Sequence, residues 1–266
     1  MLPTDPGAEE FLRRGELEVE GRLVDASNIT LFCGISADGV SARCVYKPVR
    51  GERPLWDFPD GTLAGREVAS YLVSREAGLG LIPPTVLRDG PLGPGMVQLW
   101  VDTKEGDDLV DLVAPDAVPS DFRVVLHALD RHGDPAALVH SGGVAVARLA
   151  ALDVVINNAD RKGGHVLHGT DGGVYGVDHG ICLHAEPKLR TVLWGWAGEP
   201  LPDDVLEPLA ALKASLDGGF ADTLGEHLTI TEVKALRARV ARLLAVPVFP
   251  EPDSAGRPSP IPWPAF

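Results

Sequence analysis

The sequence predicts an α+β protein with two lobes, in which a small antiparallel sheet carrying one helix precedes a larger, mainly helical lobe. Residues 17–49 alternate apolar and polar types between turn signals, which is typical of antiparallel strands. Residues 63–78 repeat apolar side chains at helical spacing, and three more helical segments follow residue 107. With 45% apolar residues, a chain of 266 residues can bury a core in a unit of this kind.

The small lobe is predicted from residues 17–102. Three strands, 17–24, 28–35 and 41–49, are separated by Asp/Ser/Asn/Gly turn sequences, and a Pro- and Gly-containing loop covers 50–61. The helix at 63–78 ends at Gly78, which is a suitable C-cap. Strands at 85–89 and 95–103 complete the order strand-strand-strand-helix-strand-strand.

The larger lobe is predicted from residues 103–246, with helical and loop segments from residue 107 onward. Its helices are expected at 144–157, 207–216 and 230–245. Residues 1–16 are expected to form an N-terminal extension. Residues 247–266 form a Pro-rich tail, predicted to be extended or irregular.

Composition narrows the classes of partner and compartment. A formal net charge of −14 opposes long-range attraction to nucleic acid or anionic membranes. No apolar run reaches 18 residues and the first residues lack a secretory layout, so we expect a cytoplasmic protein without stable membrane insertion. The three cysteines form no CxxC pair, which favours reduced thiols over a disulfide framework or zinc knuckle. The oligomeric state does not follow from these patterns.

Two short motifs carry the chemistry. Asn158-Ala159-Asp160-Arg161 opens a Gly-containing loop that reaches His165, and Val177-Asp178-His179-Gly180 follows with Asp178 thirteen residues after His165. Both place an acidic group on turn-forming sequence, as handling of a metal-bound phosphate requires. Together they point to phosphoryl transfer.

These motifs, with Tyr46-Lys47-Pro48 and Arg66-Glu67-Val68-Ala69, resemble the phosphatidylinositol 3-/4-kinase-like branch of the protein-kinase fold. Type II phosphatidylinositol 4-kinases and HipA-type kinases are the most similar named groups, over roughly residues 17–200. A small group of bacterial proteins with the same pattern is more similar still. The resemblance implies a bilobal kinase-like fold that uses ATP and Mg²⁺.

The resemblance also implies roles for four residues. Lys47 would reach the α- and β-phosphates of ATP, and Glu67 would be its ion-pair partner. Asp160 would orient the acceptor hydroxyl or take its proton, and Asp178 would bind magnesium.

Two further segments would hold the nucleotide in a kinase-like fold. The loop ending in Ser27-Asn28 would cover the phosphates through backbone N–H groups and the Ser27 hydroxyl, although it lacks a GxGxxG pattern. A simple β-turn explains the same residues equally well. Gln98, Leu99, Trp100 and Val101 fall where a hinge presents backbone groups to adenine.

His165 departs from the kinase pattern, because related kinases have Asn five residues after the catalytic Asp. Imidazole matches magnesium less well than an amide oxygen does. Three alternatives remain: His165 binds the metal and favours Mn²⁺, it donates to phosphate, or one metal site is missing. We assign Asp178 and His165 together as the candidate metal ligands.

The sequence therefore predicts an ATP-dependent phosphotransferase with an unidentified hydroxyl acceptor. A soluble polyol such as inositol or a protein Ser/Thr is favoured over a bilayer lipid, because the chain is acidic. Alternatives are a nucleotide-binding pseudokinase, an AMP-transferring enzyme, and a metallohydrolase using the four histidines between residues 165 and 184. Trp194 and Trp196 are either an acceptor platform or core.

Overall fold

The small lobe is built on a five-stranded antiparallel sheet. The computed structural model describes residues 1–23, 28–104, 106–130, 132–252 and 259–266. The elements of the small lobe after its first helix are β1 (Glu16–Arg22), β2 (Leu31–Ala37), β3 (Val40–Pro48), α2 (Leu63–Glu76), β4 (Thr85–Gly90) and β5 (Gly93–Leu99). The strand order in the sheet is β1-β2-β3-β5-β4. The order of elements along the chain matches the sequence prediction, because helix α2 connects β3 to β4.

The two faces of the sheet serve different purposes. Helix α1 (Ala8–Arg14), within the expected N-terminal extension, packs with Cys44 and Tyr46 in a separate apolar cluster. Successive side chains of a strand point to opposite faces. Lys47 therefore projects from the other face of β3, where helix α2 lies.

The start of helix α2 is fixed by side-chain caps. Thr62 Oγ1 accepts a hydrogen bond from the Gly65 amide (2.9 Å), and the Glu52 carboxylate accepts from Leu63 and Ala64. These bonds satisfy amides that have no partner inside the helix, and the negative charge suits the helix N-terminus. Almost the whole helix is buried, so Glu67 is held in one place.

Residues 107–141 differ from the expected helices and loops. They form a three-stranded antiparallel sheet of order β6-β8-β7, with β6 (Val110–Val113), β7 (Phe122–Leu129) and β8 (Pro135–Ser141). The turn between β7 and β8 contains Gly133, whose φ of 87° requires glycine. This part of the prediction was wrong because strand β8 is buried along most of its length and shows no alternation.

The rest of the larger lobe is mainly helical, and the predicted α+β two-lobe architecture is confirmed. Its main core gathers the apolar faces of these helices, α2 and β8. No helix in the described ranges is long and apolar enough to cross a membrane. The elements are α3 (Val144–Ile156), β9 (Val166–His168), β10 (Val174–Gly176), α4 (Asp203–Asp217), α5 (Phe220–Leu224) and α6 (Ile230–Ala245).

Candidate active site

Lys47 connects the two lobes at the centre of the site. Its Nζ donates to Glu67 Oε1 at 2.6 Å and to Asp178 Oδ1 at 2.8 Å. Glu67 is 2% exposed, and its second oxygen accepts from the backbone amide of His179 at 2.9 Å. The helix of the small lobe thus holds both the strand lysine and the loop that carries Asp178.

The pKa values of Lys47, Glu67 and Asp178 depend on one another. Burial alone would lower the pKa of Lys47, but Asp178 and Glu67 outweigh burial and raise that pKa. The positive charge of Lys47 holds the pKa of Asp178 far below its usual range, whereas burial raises the pKa of Glu67. Asp178 and Lys47 are therefore both ionised at neutral pH.

Asp178 is the exposed member of the group and has an unusual backbone. Its side chain is 49% exposed, and its φ of 61° is rare for a residue other than glycine. Its Oδ2 lies 3.4 Å from His165 Nε2. Such backbone strain is found most often at functional sites.

His165 is a neutral imidazole in this setting. Burial lowers its pKa to about 4, with Asp178 acting in the opposite direction. Its Nδ1 is buried and has no hydrogen-bond partner in the described part of the chain. The structure brings together the two side chains predicted as metal ligands.

Asp160 lies on the loop that follows helix α3, facing a cavity of about 940 Å³. Asn158 Oδ1 accepts its backbone N–H at 3.0 Å, and Lys162 Nζ lies 3.7 Å from its Oδ2. Burial raises the pKa of Asp160, with Lys162 acting against it. A carboxylate with raised pKa beside a cavity is a suitable base for an incoming hydroxyl.

A buried ion pair that sequence reasoning missed joins the two loops. Arg161 and Asp153 are both fully buried, and the guanidinium donates to Asp153 through Nε and Nη2. Arg161 Nη1 also donates to the carbonyls of His165 (3.1 Å) and Val177 (2.9 Å), and Nη2 contacts His179 Nε2 at 2.6 Å. Asp153, a carboxylate within the apolar residues 149–156, was the available signal, because a buried carboxylate needs a partner.

Asn157 is the C-cap of helix α3, and its side chain holds residues 184–188, which follow the loop of Asp178. Its φ of 52° is left-handed, and its Nδ2 donates to the carbonyls of His184 and Glu186. Its Oδ1 accepts from the Lys188 amide at 2.8 Å. Asn157 therefore caps the end of helix α3 and holds residues 184–188 by three hydrogen bonds.

The predicted hinge, residues 98–101, lies at the end of strand β5. Most of its backbone amides already donate hydrogen bonds within the protein. Leu99 N donates to Pro84 O and Trp100 N donates to Arg43 O. The Gln98 side chain is buried against Thr85. Among the described residues the Val101 amide has no acceptor, so Val101 keeps a backbone donor without a partner. The adenine-binding role predicted for this segment stays a prediction.

The phosphate-covering loop is described only at its end. Ser27 lies outside the described residues. Asn28 Oδ1 accepts from the Arg53 amide at 2.8 Å, which ties the end of this loop to the segment after β3. The role predicted for Ser27 and Asn28 stays a prediction.

The four clustered histidines occupy four separate environments. His165 contacts Asp178, His168 contacts Asp107, His179 contacts Arg161, and His184 packs edge-on against Phe58. Within the described ranges, no group of three or more His, Cys, Asp or Glu side chains has metal-binding geometry. These placements do not favour a histidine-rich hydrolase centre.

The two tryptophans have different roles. Trp196 is buried between His140 and Phe249, so it belongs to the core. Trp194 lines the cavity next to Asp160 and donates through Nε1 to Pro260 O at 2.9 Å. The cavity wall therefore includes residues from the Pro-rich tail.

Comparisons with known proteins give relatives at several distances. No family model matches the chain. Phosphatidylinositol 4-kinases gamma 6 and gamma 5 of Arabidopsis thaliana are 29% and 28% identical over 199 and 195 residues. Those alignments cover 68% of this chain but only 30% and 29% of the plant proteins.

Two solved structures overlay on most of the chain. The Golgi casein kinase covers 93% of it and 78% of its own chain, with a TM-score of 0.47 and 13% identity. The proinflammatory kinase CtkA of Helicobacter pylori covers 89% of it and 94% of its own chain, with a TM-score of 0.42 and 10% identity.

One relative is far more similar than these. Protein Rv2133c of Mycobacterium tuberculosis is 52% identical over 264 residues, which cover 96% of this chain and 94% of that protein. An identity of this size over nearly both full lengths establishes common descent. The chain belongs to the family of Protein Rv2133c.

Proposed function

We propose that this chain is an ATP- and magnesium-dependent phosphotransferase that moves the γ-phosphoryl group of ATP to an alcohol. The observation that carries the proposal is the position of Lys47 Nζ, 2.6 Å from Glu67 and 2.8 Å from Asp178. Phosphoryl transfer depends mainly on positioning and charge stabilisation, and this arrangement supplies both. The similarity to plant phosphatidylinositol 4-kinases supports the same class of reaction.

The residues at the site fit a divalent cation. Magnesium is typically held by one or two carboxylates, with phosphate oxygens and water completing its shell. The half-exposed Asp178 offers such an oxygen, and the neutral His165 Nε2 lies 3.4 Å from it. Because an imidazole is the softer ligand, this pair would accept Mn²⁺ as well as Mg²⁺. When held by Asp178 and His165, the ion would supply positive charge that stabilises the phosphate groups during transfer.

Residues of the chain would bind the nucleotide and position the acceptor. Lys47, held by Glu67, would bind phosphate oxygens, and Val101 would offer its amide to adenine. Asp160 would orient the acceptor hydroxyl and accept its proton as the oxygen attacks the γ-phosphorus, while the bond from that phosphorus to the bridging oxygen breaks and ADP leaves. Arg161 would hold the loops of Asp160 and Asp178 in a fixed relative position, because it donates hydrogen bonds to backbone carbonyls of both segments.

The test follows label from ATP into product. Purified protein is incubated with Mg²⁺ or Mn²⁺, a panel of alcohols, and ATP labelled at either the γ- or the α-phosphorus. We expect transfer of γ-label only, and Asp160→Asn should lower turnover by about 10²-fold or more while nucleotide binding persists.

Lys234→Gln is the matched control, because Lys234 is an exposed residue of helix α6 away from these contacts. Transfer of α-label would indicate adenylyl transfer instead. Nucleotide binding without transfer of either label would indicate a pseudokinase. Stoichiometric zinc without nucleotide affinity would overturn the proposal altogether.

A further inference from the structure

Helix α2 is tied to the larger lobe by a second buried side chain, next to Glu67. Arg66 is 1% exposed, and its Nη2 donates to Glu232 Oε1 at the start of helix α6 at 2.6 Å. Its Nη1 donates to the carbonyl of Cys182 at 3.0 Å, and Cys182 lies four residues after Asp178. One guanidinium therefore bonds helix α2 both to helix α6 and to the segment that follows Asp178.

The groups that accept these hydrogen bonds are themselves held in place. Glu232 Oε2 accepts from the amide and from the hydroxyl of Thr229, both at 2.9 Å, as part of a capping box at the start of helix α6. Next to Cys182, the carbonyl of Ile181 accepts from the Ala159 amide at 3.0 Å. Both acceptors thus have fixed positions in the larger lobe.

The surroundings of Arg66 favour a firm link. The Phe58 ring covers the guanidinium, whose Cζ lies 5.0 Å from the ring centroid, and Asp60 O accepts from Nη2 at 2.9 Å. Water and salt screen a buried pair far less than a surface pair, and the loss of one buried partner leaves an uncompensated charge. Movement of helix α2 away from the larger lobe would therefore break a buried ion pair.

The position of helix α2 decides whether Glu67 reaches Lys47. In protein kinases the position of this helix, and phosphorylation of the segment after the metal-binding Asp, control the corresponding ion pair. In this chain no Ser, Thr or Tyr lies between His179 and Arg190. Successive side chains of a helix are rotated by about 100°, so Arg66 can bond the larger lobe while Glu67 faces Lys47.

We propose that Arg66 and Glu232 are positioning residues for the nucleotide site, which keep Glu67 within hydrogen-bond distance of Lys47. The inference rests on the proposed phosphotransferase function, because Lys47 is the residue assigned there to the phosphates of ATP. Arg66 and Glu232 act through Glu67. Without their ion pair, helix α2 moves, and Lys47 then pairs with Asp178 alone, where it competes with the metal ion for that carboxylate.

Calorimetric titration of ATP in the presence of Mg²⁺ tests this role. Arg66→Met should weaken ATP binding by about tenfold or more, because Lys47 loses its fixed partner. Arg75→Met is the matched control, since Arg75 lies on the same helix but pairs with Glu9 in the small lobe at 2.8 Å. The control should change the dissociation constant by less than about twofold.

A double-mutant cycle shows whether Arg66 acts through Glu67. Glu67→Gln alone should weaken ATP binding by about tenfold or more, and adding Arg66→Met should weaken it by less than about threefold further. Independent effects would multiply to roughly a hundredfold loss, and that result would overturn the proposal. A role confined to stability does not predict this lack of additivity.

A second variant separates positioning from stability, because Arg66→Met leaves Glu232 buried without its partner. In Arg66→Met/Glu232→Gln no charge is left unpaired, and Gln can retain the capping bonds with Thr229. Its urea midpoint should lie closer to wild type than that of Arg66→Met, yet ATP binding should stay weaker than wild type by about tenfold or more. If Arg66→Met does not fold, this double variant replaces it in the titration and in the cycle.

The outcomes distinguish this proposal from the function on which it rests. ATP binding to the folded double variant as tight as to wild type would make the ion pair purely structural and overturn the proposal, while the phosphotransferase function would stand. Failure of wild type to bind ATP with Mg²⁺ would count against the function itself, and the positioning role would fall with it.

Discussion

Replacing Arg161 by Met should destabilise the protein more than any surface change, because Arg161 links the loops of the candidate active site. The guanidinium is fully buried and bonded to Asp153, to two backbone carbonyls and to His179. Met matches the arginine side chain only as far as Nε, and it has no donor. The change therefore removes the charge and its hydrogen bonds and also leaves the volume of the guanidinium head unfilled.

The expected loss of stability follows from the polar groups that Arg161→Met leaves without a partner. Removing one partner of a buried ion pair costs about 3–5 kcal/mol. Asp153 keeps hydrogen bonds from Asn158 Nδ2 (3.0 Å) and Thr191 Oγ1 (3.2 Å), so the lower end, about 3 kcal/mol, applies. The Val177 carbonyl is left without a donor and adds about 1 kcal/mol, whereas the His165 carbonyl keeps the hydrogen bond from the Val177 amide (3.1 Å). The total is about 4 kcal/mol.

The assay is urea unfolding at pH 7.5, with the free energy of unfolding extrapolated to water. The control is Arg148→Met, since Arg148 pairs with Asp204 on the surface and should contribute less than about 1 kcal/mol. Adding Asp153→Leu to Arg161→Met should recover at least about 2 kcal/mol, because no buried charge then lacks its partner. A cost below about 1 kcal/mol for Arg161→Met, or no recovery in the double variant, would refute the reasoning.

Two further predictions concern other parts of the fold. Burial lowers the pKa of His140 to about 4, and its Nε2 accepts from the Gly195 amide, so the unfolded chain binds a proton more readily between about pH 6.5 and 4. Wild type should therefore lose about 2–3 kcal/mol more stability than His140→Gln between pH 7.5 and 4.5 in urea unfolding, and equal losses would contradict this. A Cβ added at Gly163 would collide with the half-exposed Phe266 ring, which can turn away, so Gly163→Ala should cost up to about 1 kcal/mol. In a Phe266→Ala background that cost should disappear, and its persistence would show that the ring is not the cause.

Much of the small lobe follows from local sequence patterns. The alternation that identifies β1, β2 and β3 also sets the face of Lys47, and apolar spacing identifies helix α2 with Glu67 on it. Residues 107–141 were predicted wrongly, because strand pairing between β6 and β8 joins distant residues and the buried strand β8 carries no alternating pattern.

The candidate active site could be predicted only in part from the sequence, because its contacts join residues that are far apart in the chain. Lys47 and Asp178 lie 131 positions apart, and only a known motif order brings them together before the fold is seen. Asp153 belongs to no motif, yet its pairing with Arg161 aligns both loops. The hydrogen bond from the His179 amide to Glu67 could not be predicted from the sequence, because every residue except proline supplies a backbone N–H.

The central claim is that Lys47, Glu67 and Asp178 form a nucleotide site that depends on a divalent cation. The most direct measurement is calorimetric titration of ATP into the protein with and without Mg²⁺, for wild type, Asp178→Asn and the control Lys234→Gln. We predict binding to wild type and control only when Mg²⁺ is present, and at least tenfold weaker binding to Asp178→Asn. Equal binding to all three proteins whether or not Mg²⁺ is present, or no binding to any, would contradict the claim.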